Sequence, residues 1–269
     1  MKKVLYFGLF ALFLTCSTTN SPTTKTETTL NKKTIIDLSH PFSESTIYWV
    51  TAEEFTLDTV FNGMSDKGYF YAANNFKAAE HGGTHLDAPI HFYKDGQTVD
   101  EIPLAHLVGT AIKIDVSSQA LKNPDYLIST EDLKDWETKH QTSIPDNSIV
   151  LLQTGHSIYY PDKLKYLGTS QRGDAAVKDL HFPGLSPDAA QWLADHRHIK
   201  AIGIDTPSID YGQSVYFKSH VILLSQQIPV FENLTNLNNL PNRGFEVIAL
   251  PMKIEGGSGA PLRIIALVN

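Results

Sequence analysis

The sequence predicts a mixed α/β (α+β) domain, a mixed β-sheet core with flanking helices, spanning residues 34–269. Three observations predict it. Short apolar, β-branched runs recur along the chain at strand length. Two helix starts carry recognisable caps. Strands outnumber helices without a clean βαβ alternation, which argues a mixed sheet rather than a doubly wound one.

The chain begins Met1-Lys2-Lys3, followed by an apolar run from Val4 to Leu14. That is the length of a signal-peptide core and short for a membrane span. Residues 1–16 are therefore expected to be a signal segment that ends, lipobox-like, at Cys16. Lipidation there would make the protein an exported lipoprotein of the bacterial cell envelope, touching the membrane only through its anchor. Residues 17–33 are dense in Thr, Ser and Asn and nearly free of apolar side chains, the composition of a flexible tether.

Within the domain, Thr34 to Leu38 reads as a strand, broken by His40-Pro41. Tyr69 to Ala79 reads as a strand leading into a His-rich segment, and a helical turn follows Pro103. Thr110 to Val116, Ser148 to Thr154 and Ala201 to Ile204 are buried strands. Thr130 is expected to cap a helix bearing Leu133 and Trp136; Ser186 caps another, with Pro187 in its first turn. Val221 to Leu224 continues a helix. Phe245 to Leu250 and Arg263 to Val268 are the last strands.

Composition narrows the function. Hydrophobic residues make up 42% of the 269, enough for a large core, and the net charge is −7. An acidic chain without basic runs is a poor nucleic-acid binder. With Cys16 the only cysteine, no intrachain disulfide or Cys-rich zinc site is available. Any metal must be held by His, Asp and Glu.

Residues 81–92 supply such a set: His81, His85, Asp87 and His91. Imidazole and carboxylate suit zinc, manganese or iron. In an extended segment, side chains at even separations share a face. His85, Asp87 and, if the strand continues, His91 then converge. Gly82-Gly83 lets the backbone turn at His81. Pro89 resists a helix, which would scatter the set. His220 and Glu232 form a later, weaker pair that could equally cap a helix or face solvent. There is no Gly-x-Ser-x-Gly elbow for a serine triad.

The stretch His81-Gly-Gly-Thr-His85-Leu-Asp87-Ala-Pro89-Ile-His91 resembles the signature of the cyclase-like metal hydrolases, which include bacterial kynurenine formamidase and isatin hydrolase. Ile36–Pro41, Ile204–Asp210, His220–Leu237 and Pro251–Gly257 resemble other family segments, so the likeness covers Thr34 to Asn269. It implies a swivelling β/β/α-like cyclase fold. It implies that His81, His85 and Asp87 hold a metal, and that Asp87 bridges to a second held by His220 and Glu232. It implies His91 as the catalytic acid/base and Trp49 as a wall of the substrate pocket. Zn2+ is the expected ion and Mn2+ the alternative, one or two per chain.

The implied activity is hydrolysis of a small aromatic amide, foremost N-formylkynurenine in tryptophan catabolism (an arylformamidase). An isatin-like cyclic amide is the alternative, favoured by an extra stretch from His156 to Pro187 that is similar to the longer branch of the family. The family also implies a homo-oligomer, a homodimer or tetramer. A reading of another class, a metal- or ligand-capturing lipoprotein without catalysis, leaves His91 unexplained, because storage needs no spare base.

Overall fold

A computed structural model of the chain describes residues 33–269. The signal segment, Cys16 and the tether up to residue 32 lie outside the described residues. The strands are β1 (Thr34–Asp37), β2 (Thr56–Met64), β3 (Phe70–Lys77), β4 (His85–Asp87), β5 (Val108–Asp115), β6 (Leu127–Ile128), β7 (Ile149–Gln153), β8 (Gly184–Leu185), β9 (Ala201–Ile204), β10 (Val230–Glu232), β11 (Arg243–Pro251) and β12 (Gly259–Val268). The helices are α1 (Leu104–Leu107), α2 (Ser117–Ala120), α3 (Thr130–His140), α4 (Lys163–Leu167), α5 (Pro187–His196) and α6 (Lys218–Ser225).

The main sheet runs β1-β12-β11-β5-β7-β9-β10-β4, and β4 pairs again with β12. The mixed sheet thus closes into a barrel of seven strands, with β1 attached outside the ring. The parallel stretch is β5-β7-β9-β10; β11, β12 and β4 join antiparallel. Closure goes beyond the mixed sheet read from the sequence. It depends on the three-residue β4, whose partners lie far away in the chain.

Both faces of the central strands are covered. Ile149 and Leu151 of β7 join Leu86, Phe231, Val247 and Ile264 in the barrel interior. Val150 and Leu152 point the other way, under Leu133 and Trp136 of α3, Leu193 of α5 and Leu223 of α6. Alternation along the strand divides these residues, and burial on both sides explains the unbroken apolar run of Ser148 to Thr154.

α5 starts as expected, with Ser186 Oγ accepting from the Ala189 N–H and Pro187 in the first turn. For α3 the expected cap is one residue off. Ser129, not Thr130, is the cap, in a reciprocal capping box with Asp132. The 156–187 stretch folds back as a 3-10 turn at His156–Tyr159, then α4 and β8. Its Tyr166, Leu167 and Phe182 form a third cluster with Ile47 and Val50, against which Trp49 packs. Among the described residues, β2 and β3 pair only with each other, as a separate hairpin.

Candidate metal centre

β4 lies at the seam where the barrel closes, between β10 and β12. Leu86 points into the barrel, so His85 and Asp87 point out of it. Glu232 is the direct cross-strand partner of His85, and it faces the same side. His220 arrives from α6. His81 lies just before the turn at Gly83, whose φ of 55° is a left-handed conformation suited to glycine.

Asp87 is the hub. One carboxylate oxygen is 2.6 Å from His81 Nδ1 and 3.2 Å from His85 Nε2. The other is 3.0 Å from His220 Nε2. Glu232 completes the arrangement, 3.1 Å from His220 Nε2 and 3.5 Å from His85 Nε2. Ligand atoms of His81, His85 and Asp87 lie within 4.8 Å of one another, and so do those of Asp87, His220 and Glu232.

The far side of each ring is already engaged. His85 Nδ1 donates to the Gly83 carbonyl at 3.0 Å, which leaves Nε2 free to ligate. His220 Nδ1 pairs with Asp210 at 2.7 Å. His81 Nε2 meets Ser258 Oγ at 3.0 Å, and Ser258 donates to Glu80 at 2.6 Å. Gly259 leaves room for this packing, since a Cβ there would stand 2.4 Å from His81 Cε1.

This donor set fits a divalent cation. Asp87 and Glu232 are two buried carboxylates, and among the described residues the cavity walls offer no Lys or Arg to neutralise them. Protons fill that role in the metal-free protein. Burial alone would lower His85, but Asp87 and Glu232 carry it to about 9. Burial likewise opposes charge on His220, yet Asp210, Asp87 and Glu232 hold it well above the ordinary imidazole range. Burial and the neighbouring Asp87 raise Glu232. Cation and protons compete for the same atoms, so metal binding releases protons.

His91 reaches the site differently from the extended-strand reading. The strand stops at Asp87, and Pro89–His91 is a 3-10 turn, so alternation does not place it. Its ring stacks on His81 instead. Burial, reinforced by the surrounding histidines and only partly offset by Asp87, lowers it to about 4. It is therefore neutral at neutral pH.

The predicted residues His81, His85, Asp87, His91, His220, Glu232 and Trp49 all border one cavity of about 290 Å3. Trp49 stands edge-on to Phe182 and Phe217, at 6.3 and 6.1 Å between ring centres. Phe92 also lines the cavity, whereas Phe70 and Tyr71 are exposed on the hairpin. The sequence reading did not single out Tyr48, Phe217 or Asp210. The Tyr48 hydroxyl is buried with no hydrogen-bond partner among the described residues. Asp210 ends the family-like segment Ile204–Asp210, which was the available signal.

The sequence model of the Cyclase family matches residues 36–211. The chain is 32% identical over 210 residues to an isatin hydrolase of Roseibium aggregatum, covering 75% of this chain and 76% of that protein. It is 29% identical over 232 residues to a kynurenine formamidase of Salinibacter ruber, covering 86% and 96%. The structure of isatin hydrolase A from Ralstonia solanacearum superposes with a TM-score of 0.81 at 32% identity, covering 89% of this chain and 93% of that one. The chain belongs to the cyclase family of metal-dependent hydrolases.

Proposed function

We propose that the protein hydrolyses the carbon–nitrogen bond of a small, flat aromatic amide. The observation that carries this reading is the convergence of His81, His85, Asp87, His220 and Glu232 on an apolar-walled cavity, with a neutral His91 beside them. Zn2+ is the first candidate ion and Mn2+ the second; Asp87, facing both groups, allows one ion or two. When bound, the cation supplies an activated water and polarises the substrate carbonyl.

The chain's own residues do the rest. Trp49, Phe92 and Phe217 present ring faces and edges to a planar substrate. His91 Nδ1 or Nε2 takes a proton from the attacking water and returns it to the leaving nitrogen, so the imidazole ends as it began. The apolar walls exclude competing water.

An isatin-like cyclic amide is the first substrate choice. It is supported by the similarity to isatin hydrolases and by the 156–187 stretch that backs Trp49. N-formylkynurenine is the second, supported by the near-complete coverage of a kynurenine formamidase. The deciding experiment measures bound metal, then turnover of isatin and N-formylkynurenine side by side, before and after chelation. Chelator-sensitive hydrolysis of either supports the reading and chooses the substrate; cleavage of neither by the metal-loaded protein sinks it. Export and anchoring through Cys16 rest on the leader sequence alone. Palmitate labelling of the wild type but not of Cys16→Ala would support them, and equal labelling would remove them.

A further inference from the structure

We propose that Phe217 is a movable wall of the cavity, which swings aside to admit a planar substrate and closes behind it, and is thereby a specificity-determining residue. The inference rests on the reading of the cavity as the seat of a small aromatic amide. The Phe217 ring bridges two walls that come from distant parts of the chain. Its centre is 6.1 Å from that of Trp49 and 5.4 Å from that of Phe92. It also lies edge-on to His220, at 6.4 Å. Rings at these separations are in contact. A flat substrate reaches the space between Trp49 and Phe92 when Phe217 gives way.

The backbone of Phe217 is left-handed, with φ 46° and ψ 42°. Glycine and asparagine take that conformation readily, whereas a bulky residue is disfavoured there. Such strain persists where the surroundings enforce it, and it gathers at ligand clamps. Phe217 stands at the start of α6, yet its side chain does not cap that helix. What the conformation yields is a ring turned into the cavity.

The segment around it is held at its two ends. Asp210 Oδ1 accepts from Ser214 Oγ at 3.2 Å on one side and from the Ser219 N–H at 3.1 Å on the other. Ser219 Oγ also ties α6 down, donating to the Leu185 carbonyl at 2.7 Å. Between these anchors, among the described residues, no hydrogen bond holds the backbone of Val215 or Tyr216, and both side chains are 76% exposed. The Phe217 N–H bonds Ser214 Oγ at 3.2 Å, within the same short loop. An unbonded backbone with few buried apolar contacts opens at low cost. Relaxation of Phe217 to an extended backbone carries its ring outward with Val215 and Tyr216. Asp210 meanwhile keeps the start of α6, and with it His220, in place.

The test compares two isomers in the metal-loaded full chain. Phe217→Leu and Phe217→Ile put the same atoms into the wall, but β-branching makes the left-handed conformation worse for Ile. Hydrogen exchange read by mass spectrometry over residues 211–220 needs no substrate. Exchange there should be about five- to tenfold faster in Phe217→Ile than in Phe217→Leu, with other segments unchanged. Stopped-flow dissociation of isatin should quicken by a similar factor. Equal exchange in the two isomers overturns the proposal, and so does equal dissociation of isatin. Loss of metal from Phe217→Ile alone also overturns it, because the backbone would then serve α6 and His220 rather than the wall. If the wild type cleaves neither isatin nor N-formylkynurenine, the proposed reaction falls, and the exchange comparison alone upholds or overturns the movable wall.

Discussion

The imidazole of His91 lies flat against that of His81, with ring centres 3.8 Å apart and planes inclined by 19°. The two rings differ in what holds them. His81 is tied at both nitrogens, to Asp87 and Ser258. Among the described residues, no side-chain hydrogen bond holds the His91 ring. Replacing His91 by Ala should lower kcat by about two to four orders of magnitude while bound metal stays at the wild-type level. Elemental analysis beside steady-state kinetics checks this; loss of metal in proportion to activity would make His91 a ligand.

Asp87→Ala should behave in the opposite way. Its two oxygens serve both groups of ligands, and nothing else at the centre of the cluster can replace them. The variant is expected to purify without metal and without activity. Retention of a full metal complement, measured after dialysis against chelator, would refute the hub role.

Asp210 acts at one remove. It accepts from the Ser219 and His220 backbone N–H groups as well as from His220 Nδ1. It therefore fixes both the start of α6 and the ring nitrogen that His220 turns toward Asp87 and Glu232. Outer partners of this kind are worth about ten- to a hundredfold in metal affinity. Asp210→Asn should weaken binding by that order in a competition titration; unchanged affinity would remove Asp210 from the positioning of His220.

His40 should make stability depend on pH. Its ring stacks on Tyr160 at 3.7 Å, and its Nε2 is buried without a partner among the described residues. Burial lowers it from 6.5 to about 4, with Asp37 opposing. The folded state holds it neutral, while the unfolded chain takes up a proton below pH 6.5. Stability from this group is thus complete above pH 6.5 and is lost as the pH falls through 4, up to roughly 3 kcal/mol. Thermal melts from neutral to acidic pH should fall less steeply in His40→Phe, which keeps the stacked ring; parallel slopes would exclude His40 as the source.

Much of this was legible in the sequence because its signals were local. Ile149 to Gln153 is apolar enough to be a buried strand in any context, and Ser186-Pro187 announces a helix by itself. The cluster at His81, His85 and Asp87 is equally local, since a turn and three extended residues nearly suffice to build it. β2 and the brief β10 were not read as strands. β10 owes its form to pairing with β4 and β9 rather than to its own composition. His220 and Glu232 carry no local mark of function, because only the long-range register Glu232↔His85 and the approach of α6 make them neighbours of Asp87. The ring closure was invisible for the same reason.

That closure divides the molecule into a part that must stay and a part that can change. The strand bearing His85 and Asp87 is also the clasp between β10 and β12, so a substitution there threatens shape and chemistry together. Trp49, Phe92 and Phe217, which face the same cavity, sit outside the ring on connecting segments. They can be exchanged without unfastening it. A change at these three side chains reshapes the cavity wall; a change in β4 opens the ring itself.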